Sequence, residues 1–399
     1  MNDTVVTRGA QAVASKHRAG LRRIPALLRS GAQQYQRMKS VFRFILYALF
    51  LGAVVLPSHA GFTSLFIFGD SISSTTNGPG DAYYYNTNGL RWSNGRIWVE
   101  VLAQRQGLTC DTNKNWSYYG HNSTGLVSNV SSLVVSNDVN TALFIVWVNN
   151  ADFVNDMAYI YPSQNTTTWS NAINLSLTNH FKAVTNLYAK GVRTLIMPNA
   201  VDITKIPQYN LITSPAEKSF IRQRVIEFNT GFAGTASNLM TSLPGLKIYI
   251  PDLFSLLDDV LVHAANYGLT NALYLGESID VIEDPSLTDK SLNGPGTNYI
   301  FWDWQAPTAK FHAVIADQVQ QLIAQVYISG ITQLVGTNRL VIGNTPVGRH
   351  GVVEGSTNFV NWTTNQNITS SNVMQTVLVP ASGPMQFYRL RFPFSWSWP

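Results

Sequence analysis

Phe68-Gly69-Asp70-Ser71 closes a continuous apolar run that begins at Leu65 and sets a serine just past its abrupt end. A short run without polar alternation reads as a strand buried on both faces. A serine directly beyond such a strand has its hydroxyl at the carboxyl rim of a sheet and its own N–H free to donate. That combination suits a nucleophile that also helps to hold an oxyanion. The same four residues fit an ordinary strand end or a helix cap equally well. Their surroundings therefore have to decide. The single cysteine, Cys110, allows neither an internal disulfide nor a thiolate zinc site.

The elements that would position Ser71 follow from the apolar pattern. Ala142 to Val148, Arg193 to Met197 and Lys247 to Ile250 are further buried-strand segments. Amphipathic stretches lie between and after them, at Arg96 to Gln106, Trp169 to Lys190, Ser214 to Leu239 and Pro307 to Ile328. Apolar strands alternating with helices predict an α/β fold with a parallel sheet covered on both faces. Ligands bind such sheets at the carboxyl ends of the strands. Near Gly330 the helical period stops. Leu340 to Ile342, Gly351 to Glu354, Phe359 to Trp362, Gln375 to Val379 and Phe387 to Phe392 predict a small all-β sandwich. Within it, Trp362 and Tyr388 suit the core better than a sugar platform. The aromatic tail Phe392 to Pro399 reads as an edge strand that packs down in preference to an exposed sticky end.

Charge separates a leader from the rest. Lys and Arg number 27 against 22 Asp and Glu, which invites a nucleic-acid reading. Nine of those bases fall in residues 1–43 against one acid, Asp3, and the chain beyond residue 60 is weakly acidic. With no basic stripe interleaved by aromatics, nucleic-acid binding is not expected. Met38 to Arg43 is basic, Phe44 to Leu56 is apolar and uncharged, and Pro57-Ser58-His59-Ala60 supplies small residues. This is the three-part pattern of a secretory signal peptide cleaved after Ala60. The expected organisation is a leader over 1–60, an α/β domain over 61–329 and a β-sandwich over 330–399.

The stretch Phe62 to Ile328 resembles the GDSL, or SGNH, family of serine esterases and lipases, in particular its secreted bacterial group related to phospholipases and hemolysins. Phe66-Ile67-Phe68-Gly69-Asp70-Ser71-Ile72-Ser73 is similar to the family's first block and implies Ser71 as nucleophile. Arg91 to Glu100 looks like the next stretch, and Asn115 to Gly120 stands where the second block lies. The resemblance implies an SGNH-hydrolase-type, flavodoxin-like sheet, with the Gly120 N–H in the oxyanion hole and His121 beside the substrate. It implies no cofactor and no metal. The substrate would be a small ester, an acyl lipid or an acylated glycan, in an exported protein that contacts the cell envelope or an extracellular polysaccharide.

Two positions depart from that pattern. The third block, Gly-x-Asn-Asp in the family, is here Asn149-Asn150-Ala151-Asp152. Ala151 stands at the oxyanion-donor position, with Asn149 or Asn150 as substitutes and Asp152 bracing the turn. The fifth block keeps Asp303, Pro307 and Thr308 but has Ala306 where the general-base histidine belongs. Asp303 is also suited to capping the following helix. His312 is the nearest replacement base in sequence. Six residues on, it lies about 240° round and about 9 Å along a helix opened by Pro307. Three readings follow: an ester hydrolase of low activity acting through Ser71, a catalytically inactive relative that binds an ester or glycan, or a surface protein whose β-module carries the function.

Overall fold

The computed structural model describes residues 62–75, 91–135, 137–323, 326–345, 350–372, 374–381 and 386–392. The segment 38–60, expected from its sequence to be a signal peptide, and the tail 393–399 lie outside the described residues.

The four apolar runs form one parallel sheet: β1 (Leu65–Gly69), β2 (Leu143–Trp147), β3 (Thr194–Ile196) and β4 (Lys247–Tyr249), in the order β1-β2-β3-β4. Leu65 pairs with Leu143, and Gly69 with Trp147. Every residue of β1 and β2 is buried, which explains the lack of polar alternation in both. Among the described residues seven helices accompany the sheet: α1 (Trp98–Arg105), α2 (Ser123–Ser132), α3 (Asn149–Tyr159), α4 (Thr166–Ala189), α5 (Pro215–Ser242), α6 (Leu253–Val262) and α7 (Ala309–Ile323). They pack in two groups, α1 against α7, and α2 against α4 against α5. A two-residue-strand hairpin, β5 (Leu273–Tyr274) and β6 (Glu277–Ser278), precedes α7.

The chain also touches the outer edge of β1. Asn115 forms a single parallel bridge to Ile67, and the Trp116 N–H donates to the Ile67 carbonyl at 2.8 Å. The connection from β1 thus runs first to one side and then to β2 on the other. Strand order reverses at β1, the place where open α/β sheets hold their ligands.

The expected helix Pro307 to Ile328 is shorter at both ends. Pro307 pairs with Phe301 in an antiparallel bridge. The Thr308 hydroxyl then caps α7 by accepting the Phe311 N–H at 3.3 Å. From Tyr327 the chain is strand, because β-branched and aromatic residues there fit a pleated surface better than a helix. Two three-stranded antiparallel sheets follow: β11-β8-β7 and β10-β9-β12. Their members are β7 (Tyr327–Leu334), β8 (Thr337–Gly343), β9 (His350–Ser356), β10 (Thr363–Thr369), β11 (Met374–Pro380) and β12 (Phe387–Arg391). Leu340, Ile342, Val353, Ile368 and Val379 form their shared core. Phe359 to Trp362 is a loop rather than the expected strand. The strand is the polar segment after it, Thr363–Thr369, held by backbone pairing to β9 with a bulge between Thr364 and Gln366.

Candidate active site

Ser71 opens a three-residue 3-10 turn directly beyond β1. Asp70 sits in extended backbone before it, and its Oδ1 accepts the Ile72 N–H at 3.1 Å. The turn folds back so tightly that a Cβ on Gly69 would lie 2.4 Å from the Ser73 Cβ. Only glycine fits there. Long-range bonds then fix the turn. The Ser117 hydroxyl accepts the Gly69 N–H at 3.0 Å, and His121 Nδ1 meets the Gly69 carbonyl at 2.8 Å. Asn115 Nδ2 donates to the Ser73 carbonyl at 2.9 Å, and the Trp98 indole donates to the Ser73 hydroxyl at 3.1 Å.

This bracing leaves Ser71 itself unengaged. Neither its hydroxyl nor its N–H makes a hydrogen bond among the described residues, although the residue is only 9% exposed. Gly120, at φ +76, lines the same cavity with its N–H equally unpartnered. A third donor comes from the start of α3. Asn150 Oδ1 accepts the Val201 N–H at 3.1 Å, while its amide nitrogen has no partner and the residue faces the cavity. Ala151 lines the cavity beside it.

Three residues singled out from the sequence stand elsewhere. Asn149 is turned into the protein, where its amide donates to the Pro198 carbonyl at 2.8 Å. It is therefore not an oxyanion donor. His121 is fully buried between the Gly69 carbonyl and Asn129 and stacks on Tyr118, so it braces the Ser71 turn and does not line the cavity. Burial lowers its pKa. His312 is also fully buried and does not line the cavity. Both of its ring nitrogens lack partners, and burial pushes its pKa down to about 3. It is not a base for Ser71.

The base position is filled by hydrocarbon. Ala306 is buried with Trp92, Val281 and Trp302. Asp303 Oδ1 accepts the Gln305 N–H at 2.7 Å and the Ala306 N–H at 2.5 Å. Asp303 thus caps this turn rather than α7. Gln305 lines the cavity, and its amide donates to Gln208. The other described histidines are engaged elsewhere. His180 packs by Ser176 and Asp152, His263 pairs with Asp259 on the surface, and His350 lies in the sandwich. Among the described residues no imidazole hydrogen-bonds Ser71.

The cavity has a volume of about 320 Å³. Its walls are largely aliphatic and aromatic: Val154, Ala158 and Tyr159 of α3, Leu253, Leu256 and Leu257 of α6, and Phe311 and Ile315 of α7. Asp70 also lines it, and burial with the nearby Asp152 charge pushes its pKa up to about 7. Asp156 rises to about 7 for the same two reasons. Asp152 is braced by the Ser123 N–H at 3.0 Å and the Ser176 hydroxyl at 2.7 Å, which ties α3 to α2 and α4. The α3 and α6 walls were not read from the sequence as parts of a site. Their signal was the density of apolar residues in Leu253–Val262.

Known proteins resemble this chain to different degrees. A GDSL esterase/lipase of Arabidopsis thaliana is 22% identical over 209 residues, covering 48% of this chain and 57% of the relative. GDSL esterase/lipase 7 of the same plant is 25% identical over 186 residues, covering 42% and 49%. The chain spans about half the length of the curated relatives it matches. Among solved structures, a catalytic mutant of an acetylxylan esterase from Geobacillus stearothermophilus superposes with a TM-score of 0.38 at 14% identity, covering 65% of this chain and 93% of that one. The pattern of the GDSL-like lipase/acylhydrolase family runs from β1 through the Ser71 turn and into α7, over residues 65–319. With that match across most of its length, the chain belongs to the GDSL-like lipase/acylhydrolase family.

Proposed function

We propose that this chain is an exported carboxyl-ester hydrolase of low turnover, with the acyl group of its substrate in the apolar cavity and Ser71 as nucleophile. One observation carries the reading: the hydroxyl and N–H of Ser71 are unengaged at the wall of an apolar cavity that Gly120 also lines. Export is supported by the basic, apolar and small-residue sequence of 38–60.

In the reaction the Ser71 oxygen adds to the ester carbonyl. The resulting oxyanion is taken by the N–H groups of Ser71 and Gly120 and by the Asn150 amide. The alkoxide leaves and takes a proton from solvent, and a water then adds to the acyl-serine, giving the free acid and restoring the Ser71 hydroxyl. The Ser71 proton has to pass to water or hydroxide, because Ala306 offers no acceptor. General-base assistance is worth about 10²–10⁴ in rate, so both acylation and deacylation are slow. A second reading, ester binding without turnover, is favoured by Ala306 alone.

Intact-mass analysis after incubation with p-nitrophenyl octanoate separates the two. The hydrolase reading expects an octanoyl adduct that is absent in Ser71→Ala. Saturable binding of the ester with no adduct over days would leave only the binding reading.

A further inference from the structure

The β-sandwich carries a feature that the ester chemistry leaves unused. At one end of it three connections meet: the β7–β8 turn, the β9–β10 loop and the start of the β11–β12 connection. Pairing of Thr337 with Pro380, and of Ser356 with Phe387, brings these ends together. The Asn338 amide donates to the Tyr388 hydroxyl at 2.7 Å and ties the two sheets there.

The tips at this end are apolar and face outward. Val335 is fully exposed, Val360 is 78% and Phe359 62% exposed. Phe359 sits at φ +61, a left-handed backbone that a bulky residue rarely adopts. Asn358 Oδ1 holds it there by accepting the Val360 and Asn361 N–H groups at 3.0 and 2.9 Å. Strain of this kind persists where the surroundings over-determine it, and it clusters at functional sites. The Phe359 ring rests on Phe387 and Trp362, and the Arg389 guanidinium lies 4.4 Å over Trp362. Arg339 and Arg389 lie on strands that end at these tips. Residues 330–399 contain four arginines, no lysine and a single acid, Glu354. Glu354 is largely buried between Arg389 and Arg391, at 2.7 and 3.2 Å.

We propose that this end of the sandwich inserts Val335 and Phe359-Val360 into the interface of a lipid bilayer that bears anionic headgroups. Separate apolar tips suit a soft medium that closes around each of them, whereas a protein partner needs a continuous complementary face of about 800 Å². Apolar insertion and cationic residues near the headgroups reinforce each other. The inference rests on the sandwich alone and is independent of the chemistry at Ser71.

The test uses the full chain with vesicles of phosphatidylcholine, alone or with one third phosphatidylglycerol. Amide hydrogen exchange should slow at residues 333–337 and 357–362 on the anionic vesicles, and less so in 0.5 M salt. Replacing Val335, Phe359 and Val360 together by serine should lower co-sedimentation at least about tenfold. Met374→Ser, an exposed apolar residue at the other end of the sandwich, should leave co-sedimentation unchanged, and thermal unfolding shows that each variant is folded. Vesicle binding without protection at the two tips would overturn the proposal. So would tip protection that appears without vesicles as protein concentration rises, because a second copy would then be the occupant.

Discussion

Replacing Ala306 by histidine tests the reading of the active site most directly. The new imidazole has one partner waiting. Asp303 lies three residues earlier in the same turn, and its carboxylate already accepts two backbone N–H bonds there. A charge-assisted bond from the imidazole to a carboxylate would orient the ring and fix its tautomer. The cost is space. Ala306 is 1% exposed and packed among Trp92, Val281 and Trp302, and overpacking of this kind costs about 1–3 kcal/mol. At about 2–4 °C per kcal/mol for a domain of this size, the melting temperature should fall by about 2–12 °C. Gln305 and Pro307 on either side of Ala306 line the Ser71 cavity, and the gain expected of a general base for Ser71 is about 10²–10⁴ in turnover. The assay is p-nitrophenol release from a medium-chain ester, with Ser71→Ala made in the same background. kcat/KM should also rise with pH through the imidazole pKa, because only the neutral ring accepts the Ser71 proton. A folded A306H variant without Ser71-dependent gain would refute the assignment of position 306. A gain that survives loss of Ser71 would refute the nucleophile.

Three further outcomes are expected. In the A306H background, Asn150→Ala should lower kcat about 10²–10³-fold with little change in KM, as loss of an oxyanion donor does; steady-state kinetics checks it. Asp70 binds a proton more tightly in the folded state, about 7 against 3.8, so its contribution to stability falls as pH rises from about 4 to 7, by about 4 kcal/mol at most. Asp70→Asn should flatten that part of the denaturation profile. His312 is shifted the opposite way, about 3 against 6.5, so its burial costs stability progressively as pH drops below 6.5, by up to about 5 kcal/mol. His312→Leu should abolish this acid sensitivity and leave stability at pH 8 unchanged or higher, because it removes two buried unpartnered nitrogens.

The sequence by itself determined the sheet and the place of Ser71 at the end of its first strand. A strand buried on both faces has to be apolar throughout, and that requirement is written locally in LFIF and ALFIVWV, while RTLIM and KIYI are apolar beyond a polar start. Gly69-Asp70-Ser71 is local as well, since the tight turn admits only glycine at its first position. The absence of a base at 306 was also legible, residue by residue. Tertiary structure alone decided which neighbour of a motif faces the cavity. Asn149 and Asn150 are adjacent and chemically identical, yet the turn into α3 sends one to Pro198 and the other to the site. His121 and His312 looked available because sequence shows ring chemistry but not burial. Their environments are built by partners up to 52 residues away and by packing inside the fold. In the sandwich, β10 is held by backbone pairing to β9 rather than by apolar side chains, so Thr363–Thr369 left no period to read. The neighbouring Phe359-Val360 carried the apolar signal and belongs to the surface instead.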